Sequence, residues 1–182
     1  MKTTKTLLFA LSLVLFSNSA NAFEWKQWFT NLKENIVHAF KCGRPDIYIP
    51  VRTWHNRLTY DKSKIEKYNE EPWGFGLGKG FTDGKDWHGV YAMAFKDSNF
   101  YLQTFFGYGY QHNWNIADSD NWKIGAGYTL GFTQRHEYSY VPVPLPLPIG
   151  SISYKNLSLQ ASYVPGVHNN GNVLFAWLKI SF

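Results

Sequence analysis

The residues of this sequence best suited to chemistry are His55, Asp97 and Ser98. An imidazole can remove and return a proton near neutral pH, and a carboxylate can orient that ring or stabilise its charged form. A hydroxyl close by can attack a carbonyl carbon or help to hold a developing negative charge. The three groups are the ingredients of acyl transfer, although ordinary polar loops would contain the same residue types.

Motifs of other reaction classes are missing from the sequence. It contains no glycine-rich phosphate loop, no Gly-x-Ser-x-Gly elbow and no His-Glu-x-x-His stretch. Its histidines lack metal-ligand spacing, and Cys42 is the only cysteine, which excludes a disulfide within the chain. The formal charge of +5 is spread along the chain rather than gathered in a stripe. We therefore expect no metal site and no nucleic-acid partner.

The first 22 residues have the features of a secretory signal peptide. Lys2 and Lys5 precede an apolar run over 7–16, and Ala20-Asn21-Ala22 supplies the small residues that a signal peptidase needs. Cleavage is predicted before Phe23. The apolar run is too short to span a membrane as a helix. We expect 1–22 to be the signal peptide and 23–182 to be a single domain.

The beginning of that domain is predicted to be an amphipathic helix over about 24–41. Trp25, Trp28, Phe29, Leu32, Ile36 and Phe40 recur at helical spacing, while polar residues occupy most of the other face. Two tryptophans on the apolar stripe favour a helix at the membrane surface or on the mouth of a barrel. A helix that packs on a soluble core would have the same pattern.

From about residue 46 to 182 the hydrophobic period is two, which is typical of strands with two different faces. The clearest strand alternates Trp122, Ile124, Ala126, Tyr128, Leu130 and Phe132 with small or polar residues. Aromatic residues make up 19% of the chain, which suits the girdles of an outer-membrane barrel. The predicted strands are 46–60, 71–82, 87–97, 100–112, 121–136, 137–145, 150–164 and 171–182.

These features predict an all-β fold, an eight-stranded antiparallel up-and-down transmembrane β-barrel with an N-terminal amphipathic α-helix. A closed barrel satisfies every backbone polar group internally, as hydrocarbon demands. The terminal Phe182 is typical of proteins that await assembly in a bacterial cell outer membrane. We expect a monomer in that membrane.

Up-and-down topology also positions the candidate chemical groups. Alternate strands run in the same direction, so the ends of the first and third predicted strands meet one rim. His55 lies near the first end, and Asp97 and Ser98 lie at the third. If the helix and both termini are periplasmic, this rim faces the cell surface.

The lumen is predicted to be partly apolar. The inward set of the last strand is Val173, Phe175 and Trp177. Glycines recur where an eight-stranded barrel normally fills its interior with side chains, at positions 74, 76, 78, 107, 109, 125, 127 and 131. Apolar walls with missing side chains suggest a slot for a hydrocarbon chain. The alternative is that the glycines only permit sharp curvature of the sheet.

The sequence resembles the lipid A palmitoyltransferase family, PagP, over nearly all of the predicted mature chain. The similarity is carried by long segments in the family's order. They are Tyr48-Ile49-Pro50, Thr53-Trp54-His55, Tyr68-Asn69-Glu70, Pro72-Trp73-Gly74, the run Trp87 to Ser98, Gly107-Tyr108-Gly109, Pro165-Gly166, Asn169 to Val173 and Phe175-Ala176-Trp177.

The resemblance implies transfer of a palmitoyl chain from a glycerophospholipid donor to a hydroxyacyl chain of lipid A, the lipopolysaccharide anchor, in the outer leaflet. It implies no cofactor. The family's essential residues fall on His55, Asp97 and Ser98, with Ser98 as nucleophile or oxyanion donor. A non-catalytic outer-membrane barrel, structural or lipid-binding, is the alternative.

The resemblance also implies two features of the acyl-binding lumen. Gly109 corresponds to the glycine that sets acyl length at the lumen floor, and Pro148 and Pro165 flank a lateral opening for lipid. Proline cannot donate a ladder hydrogen bond, which would weaken pairing at that seam. Asn99 and His168 depart from the family's pattern, which bears on how strictly palmitate is selected.

Overall fold

The computed structural model describes residues 24–117 and 119–182, so the predicted signal peptide lies outside the described residues. Eight antiparallel strands form a closed barrel in which each strand pairs with its neighbours in the chain and the last pairs with the first. This confirms the predicted fold. The strands are β1 (Arg44–His55), β2 (Gly74–Asp83), β3 (Asp86–Lys96), β4 (Leu102–Ile116), β5 (Ser119–Gln134), β6 (Val143–Tyr154), β7 (Leu157–Val164) and β8 (Val173–Ser181).

The predicted N-terminal helix is present as α1 (Trp25–Cys42). The chain divides into two compact units at Glu34, and the second half of α1 belongs to the same unit as the barrel. In that unit, the ring of His38 meets Phe81 of β2 edge to face with 4.5 Å between ring centres. Ala39 on the same helical turn is fully buried. A second, four-residue helix, α2 (Lys62–Ile65), lies in the loop between β1 and β2.

The outer face of the barrel is apolar, as the alternation predicts. Trp122 and Ile124 of β5 are each nearly half exposed, and so is Phe132 on the same face of that strand. Large apolar side chains left outside a closed sheet are unfavourable in water but suit hydrocarbon. No helix among the described residues combines the length and apolar composition needed to cross a membrane.

The sequence prediction is wrong around the sixth strand. It placed strands over 137–145 and 150–164, but the structure has a 3₁₀ turn at His136–Tyr138 followed by one continuous β6 and a two-residue turn before β7. The prolines of this segment do not interrupt β6, which pairs with β5 over its whole length.

The reason lies in the spacing of these prolines. Pro144, Pro146 and Pro148 occupy every second position of β6, and consecutive residues of a strand direct their N–H groups toward opposite neighbours. All three therefore lose a donor on the same side. Consistent with this, β6 pairs with β7 only from Ile149 onward, which leaves its first six residues unpaired on the β7 side.

A second interruption of the sheet lies between β1 and β2. These strands pair only over Arg44–Tyr48 of β1, and the remainder of β1 up to His55 pairs with β8 alone. Pro50 and Pro72 lie beside this interruption. The barrel is therefore fully paired at the end where β1 begins, and it has two unpaired seams near the opposite rim. At that rim the chain connects β1 to β2, β3 to β4, β5 to β6 and β7 to β8.

Candidate active site

A cavity of about 810 Å³ extends from this rim into the lumen. His55, Asp97 and Ser98 line its mouth, and Tyr91 and Trp177 line its far end. The wall between them is largely apolar, with contributions from Met93, Phe95, Phe105, Leu145, Leu147 and Phe175. The inward residues predicted for β8, Val173, Phe175 and Trp177, all line the cavity.

At the mouth, the structure brings His55 and Ser98 together. His55 ends β1 and is 1% exposed, and Ser98 lies in the short turn that connects β3 to β4. The ring Nε2 of His55 is 3.0 Å from the Ser98 Oγ. This is the distance at which an imidazole can accept the proton of a serine hydroxyl.

The carboxylate in contact with the histidine is that of Glu70, which the sequence analysis did not assign. Glu70 Oε1 accepts hydrogen bonds from the backbone N–H and from the ring Nδ1 of His55, each at 3.1 Å. Burial raises the pKa of the Glu70 carboxyl, but hydrogen bonds from Arg57 and from the backbone and ring of His55 outweigh it and bring the pKa to about 2. Glu70 is therefore ionised at any pH at which an imidazole can act as a base.

Two arginines hold this carboxylate in place. Arg57 donates from Nη1 to Oε1 and from Nη2 to Oε2, both at 2.6 Å, and Arg52 donates to Oε2 at 3.0 Å. The two parallel bonds from Arg57 form the bidentate pair that fixes both the position and the plane of a carboxylate. Arg57 also donates to the backbone carbonyl of His55 at 3.1 Å.

Asp97, which was expected to orient the histidine or stabilise its charge, has a different set of contacts. Its Oδ1 accepts the backbone N–H groups of Asn99 and Tyr101 at 2.8 and 2.9 Å, and its Oδ2 lies 3.6 Å from Arg135 Nη2. No hydrogen bond joins it to His55 in the described part of the chain. The Asp97 carboxylate holds the turn that carries Ser98, so it reaches the histidine only through the serine.

Two tyrosines enclose the histidine ring. Tyr68 stacks on it with 4.6 Å between ring centres, and Tyr60 meets it edge to face at 5.1 Å. Both tyrosines also line the cavity mouth. The ring is thus fixed by aromatic packing on its faces and by hydrogen bonds at both nitrogens.

The lumen glycines do not create the cavity, and this part of the sequence interpretation is wrong. None of the eight lines the cavity, and at several of them neighbouring side chains fill the space that the glycine leaves. A Cβ added at Gly76 would lie 2.4 Å from the Met93 side chain, and one at Gly78 would lie 2.7 Å from Tyr91 Cβ. Gly109 packs in the same way, with a hypothetical Cβ 2.9 Å from the ring of Trp87 and 3.3 Å from that of Tyr91.

Beyond the cavity floor the lumen is filled by a layer of buried polar groups. Trp177 Nε1 donates to Gln160 Oε1 at 2.9 Å, and Gln160 Nε2 donates to Gln111 Oε1 at 2.8 Å. The ammonium of Lys179 lies 4.4 Å above the centre of the Trp87 ring. These side chains are at most 6% exposed, so the cavity ends at a packed floor.

The two prolines predicted to flank a lateral opening lie at the unpaired seam between β6 and β7. Pro165 follows β7 directly and lines the cavity. Pro148 does not line it, and its carbonyl accepts a hydrogen bond from Ser162 Oγ at 2.7 Å. The cavity wall at this seam therefore has no continuous hydrogen-bond ladder.

The two departures from the family pattern both lie on the rim. Asn99 Nδ2 donates to Glu137 Oε1 at 3.3 Å, and His168 Nε2 lies 3.4 Å from Asp61 Oδ1. The side chain of neither forms a hydrogen bond with His55 or Ser98 in the described part of the chain. No group of three or more His, Cys, Asp or Glu side chains in residues 24–117 and 119–182 could hold a metal ion.

A serine, a buried histidine and a carboxylate in line at the mouth of an apolar cavity define a β-barrel enzyme of the acyl-transfer class. Comparison with known proteins specifies the class further. The family model described as "Antimicrobial peptide resistance and lipid A acylation protein PagP" matches residues 35–179. The chain belongs to this family and is an acyltransferase.

Several relatives carry the name lipid A acyltransferase PagP. The protein of Proteus mirabilis (strain HI4320) is 53% identical over 156 residues, which are 85% of this chain and 74% of that protein. The protein of Yersinia enterocolitica serotype O:8 / biotype 1B is 52% identical over 152 residues, 83% of this chain and 74% of that protein. The protein of Dickeya chrysanthemi (strain Ech1591) is 43% identical over an alignment 194 residues long, gaps included, which covers 99% of this chain and 97% of that protein.

Proposed function

We propose that this chain transfers a palmitoyl group from a glycerophospholipid to the hydroxyl of a hydroxyacyl chain of lipid A, in the outer leaflet of a bacterial outer membrane. The observation that carries the proposal is the Ser98–His55 pair, with 3.0 Å between Oγ and Nε2, at the mouth of an apolar cavity. The names of the relatives support lipid A as the acceptor.

The proposed reaction has two steps that use the same two residues. First, Ser98 Oγ attacks the donor ester carbonyl while His55 Nε2 takes its proton, and the ester bond to glycerol breaks as the lysophospholipid oxygen receives that proton. An acyl ester on Ser98 remains. The lipid A hydroxyl then attacks this ester and gives its proton to His55, which returns it to Ser98 as the acyl–serine bond breaks.

The dimensions of the cavity support a long acyl chain. Asp97 at the rim and Tyr91 at the floor are six residues apart along β3, and Gly89, which pairs with Gly109, is two residues further. At about 3.3 Å per residue and a tilt near 40° these levels lie about 15 and 20 Å below the rim. This range is comparable to an extended long acyl chain.

The placement in the outer membrane is supported by the apolar outer face and by the closure of the sheet. Each strand of the closed barrel pairs with a neighbour on both sides over at least part of its length, so no strand offers a wholly free edge to a partner, and we propose that it works as a monomer. Because β1 begins at the end of the barrel away from His55, a periplasmic N-terminus would put the site at the level of the outer leaflet.

We further propose that the donor chain enters through the seam between β6 and β7, beside Pro148 and Pro165. If the register of the two strands is continued past Ile149, Pro146 lies opposite Pro165. A double variant with cysteine at these two positions, made together with Cys42→Ser, should lose transfer when oxidised and regain it with dithiothreitol. The single Pro146→Cys variant is the control, and full activity of the oxidised double variant would contradict lateral entry.

The function itself is tested by the mass of lipid A from cells that express the chain. We expect lipid A to gain the mass of one palmitoyl group, while cells with an empty vector show no gain. A correctly folded barrel that leaves the lipid A mass unchanged would favour the alternative, a lipid-binding barrel without chemistry.

A further inference from the structure

The Asn69–Glu70 segment lies in the interruption of the sheet between β1 and β2, next to the reacting pair. It is not part of any strand, yet it is hydrogen-bonded on both sides. The backbone N–H of Thr53 in β1 donates to the Glu70 carbonyl at 3.0 Å, and the backbone N–H of Asn69 donates to the Ser98 carbonyl at 2.9 Å. The segment thus connects the strand that carries the base with the turn that carries the serine.

The side chains of the segment repeat this double connection. Asn69 Nδ2 donates to the Asp97 carbonyl at 3.3 Å, and Glu70 Oε1 accepts the two N–H groups of His55. A carboxylate only accepts hydrogen bonds, so the contact with Nδ1 requires the proton of the neutral ring to reside on that nitrogen. Nε2 is then left with its lone pair directed at Ser98.

The negative charge of Glu70 has a further effect on the proposed reaction. When His55 takes a proton, the ring becomes an imidazolium in a site that is almost fully buried. A fixed carboxylate in contact with the ring stabilises that charge without having to move. The two arginines keep this carboxylate ionised and oriented, so it is ready before substrate binds.

We propose that Glu70 is the positioning residue of this enzyme: it sets the tautomer of His55 and stabilises its protonated form, so that the working constellation is Ser98–His55–Glu70. This inference rests on the proposed function, because it assumes that His55 is the base. Asp97 then acts on the same constellation from the other side, through the turn that carries Ser98.

The first experiment compares Glu70→Gln with Glu71→Gln in the full-length chain, purified from membranes. Both variants make the same chemical change at adjacent positions, but Glu71 is exposed and has no side-chain partner in the described part of the chain. We expect Glu70→Gln to lower turnover by about 10²-fold or more, with KM changed less than about threefold, and Glu71→Gln to behave as the wild type.

The pH profile separates a positioning role from a merely structural one. Loss of the carboxylate makes protonation of the ring less favourable, so the acid limb of the pH–rate profile of Glu70→Gln should move about one unit or more to lower pH. The Glu70→Asp variant keeps the charge and should retain a limb close to that of the wild type. An unchanged limb in Glu70→Gln, or turnover within about threefold of the wild type, would overturn the proposal.

The tautomer of His55 can be determined by NMR without an activity assay. In the ¹⁵N-histidine-labelled barrel, the ring signals of His55 are assigned by their loss in His55→Asn, and Nδ1 should carry the proton in the wild type. A proton on Nε2 instead would overturn the proposal even if the enzyme is active. Conversely, the expected ring signals in a barrel that fails to acylate lipid A would refute the proposed function and leave the role of Glu70 in orienting the ring intact.

Discussion

Replacement of His55 by alanine should abolish acyl transfer to lipid A, with a fall in turnover of about 10³-fold or more. The imidazole is the only group in the described structure that contacts the Ser98 hydroxyl as a base, through Nε2 at 3.0 Å. Without it the hydroxyl keeps its proton and is a poor nucleophile at neutral pH. The measurement is the rate at which labelled palmitate moves from phospholipid to lipid A in detergent micelles.

The same variant must be shown to fold. The barrel of His55→Ala should still change its gel mobility on heating, as a stable closed sheet does, because the ring contributes no hydrogen bond to the strand ladder. In parallel, acid-quenched wild-type enzyme should carry an acyl group on the peptide that contains Ser98, and Ser98→Ala should carry none. Full activity of His55→Ala, or transfer in the absence of any acyl–Ser98 species in the wild type, would contradict the proposed mechanism.

Gly109→Met should shorten the acyl chain that the enzyme prefers. A Cβ at this position already comes within 2.9 Å of Trp87 and 3.3 Å of Tyr91, so the longer side chain has to displace one or both rings. Tyr91 lines the far end of the cavity, and its displacement toward the rim would raise the floor. With a mixture of phospholipids of different chain length, we expect the mass added to lipid A to shift by several methylene groups below palmitate.

Gly150 provides a matched control for this change. It is a strand glycine on the outer face of β6, and a Cβ there would meet only one backbone oxygen, at 3.8 Å. Gly150→Met should therefore leave the chain-length preference unchanged. Continued selection of palmitate by Gly109→Met would show that the floor is not set at this level of the lumen.

The fold was largely predictable because two strong local signals agree. The period-two alternation defines which residues face outward, and a closed sheet is the only way for such strands to meet hydrocarbon. The prediction failed around β6, where prolines usually end strands. Because these prolines occupy every second position, all the missing N–H donors lie on one edge of β6. Whether β7 pairs with that edge depends on a later segment of the chain, and no local pattern reveals it.

The site was predictable only in part, for a related reason. His55 and Ser98 could be placed on one rim from the direction of the strands alone. Glu70 lies in the loop between β1 and β2, 15 residues after His55, and only the folded loop brings it to the ring. Asp97 was given its role because it lies with Ser98 at the end of the third predicted strand and because the family resemblance falls on it, but strand ends direct neighbouring side chains to different places. The sequence did contain one signal for such a carboxylate. Arg52 and Arg57 flank His55, and neither had been given an acidic partner.

The packed floor also determines what this barrel does to the membrane around it. Small barrels with a continuous water-filled lumen let ions leak, whereas here Gln111, Gln160 and Trp177 form a hydrogen-bonded layer across the lumen. Because these three side chains are almost fully buried, we expect the layer to block the passage of water and ions even when the cavity above it holds no lipid. In the proposed outer membrane, many copies of this enzyme should therefore leave the permeability barrier intact, and in a planar bilayer the protein should be electrically silent.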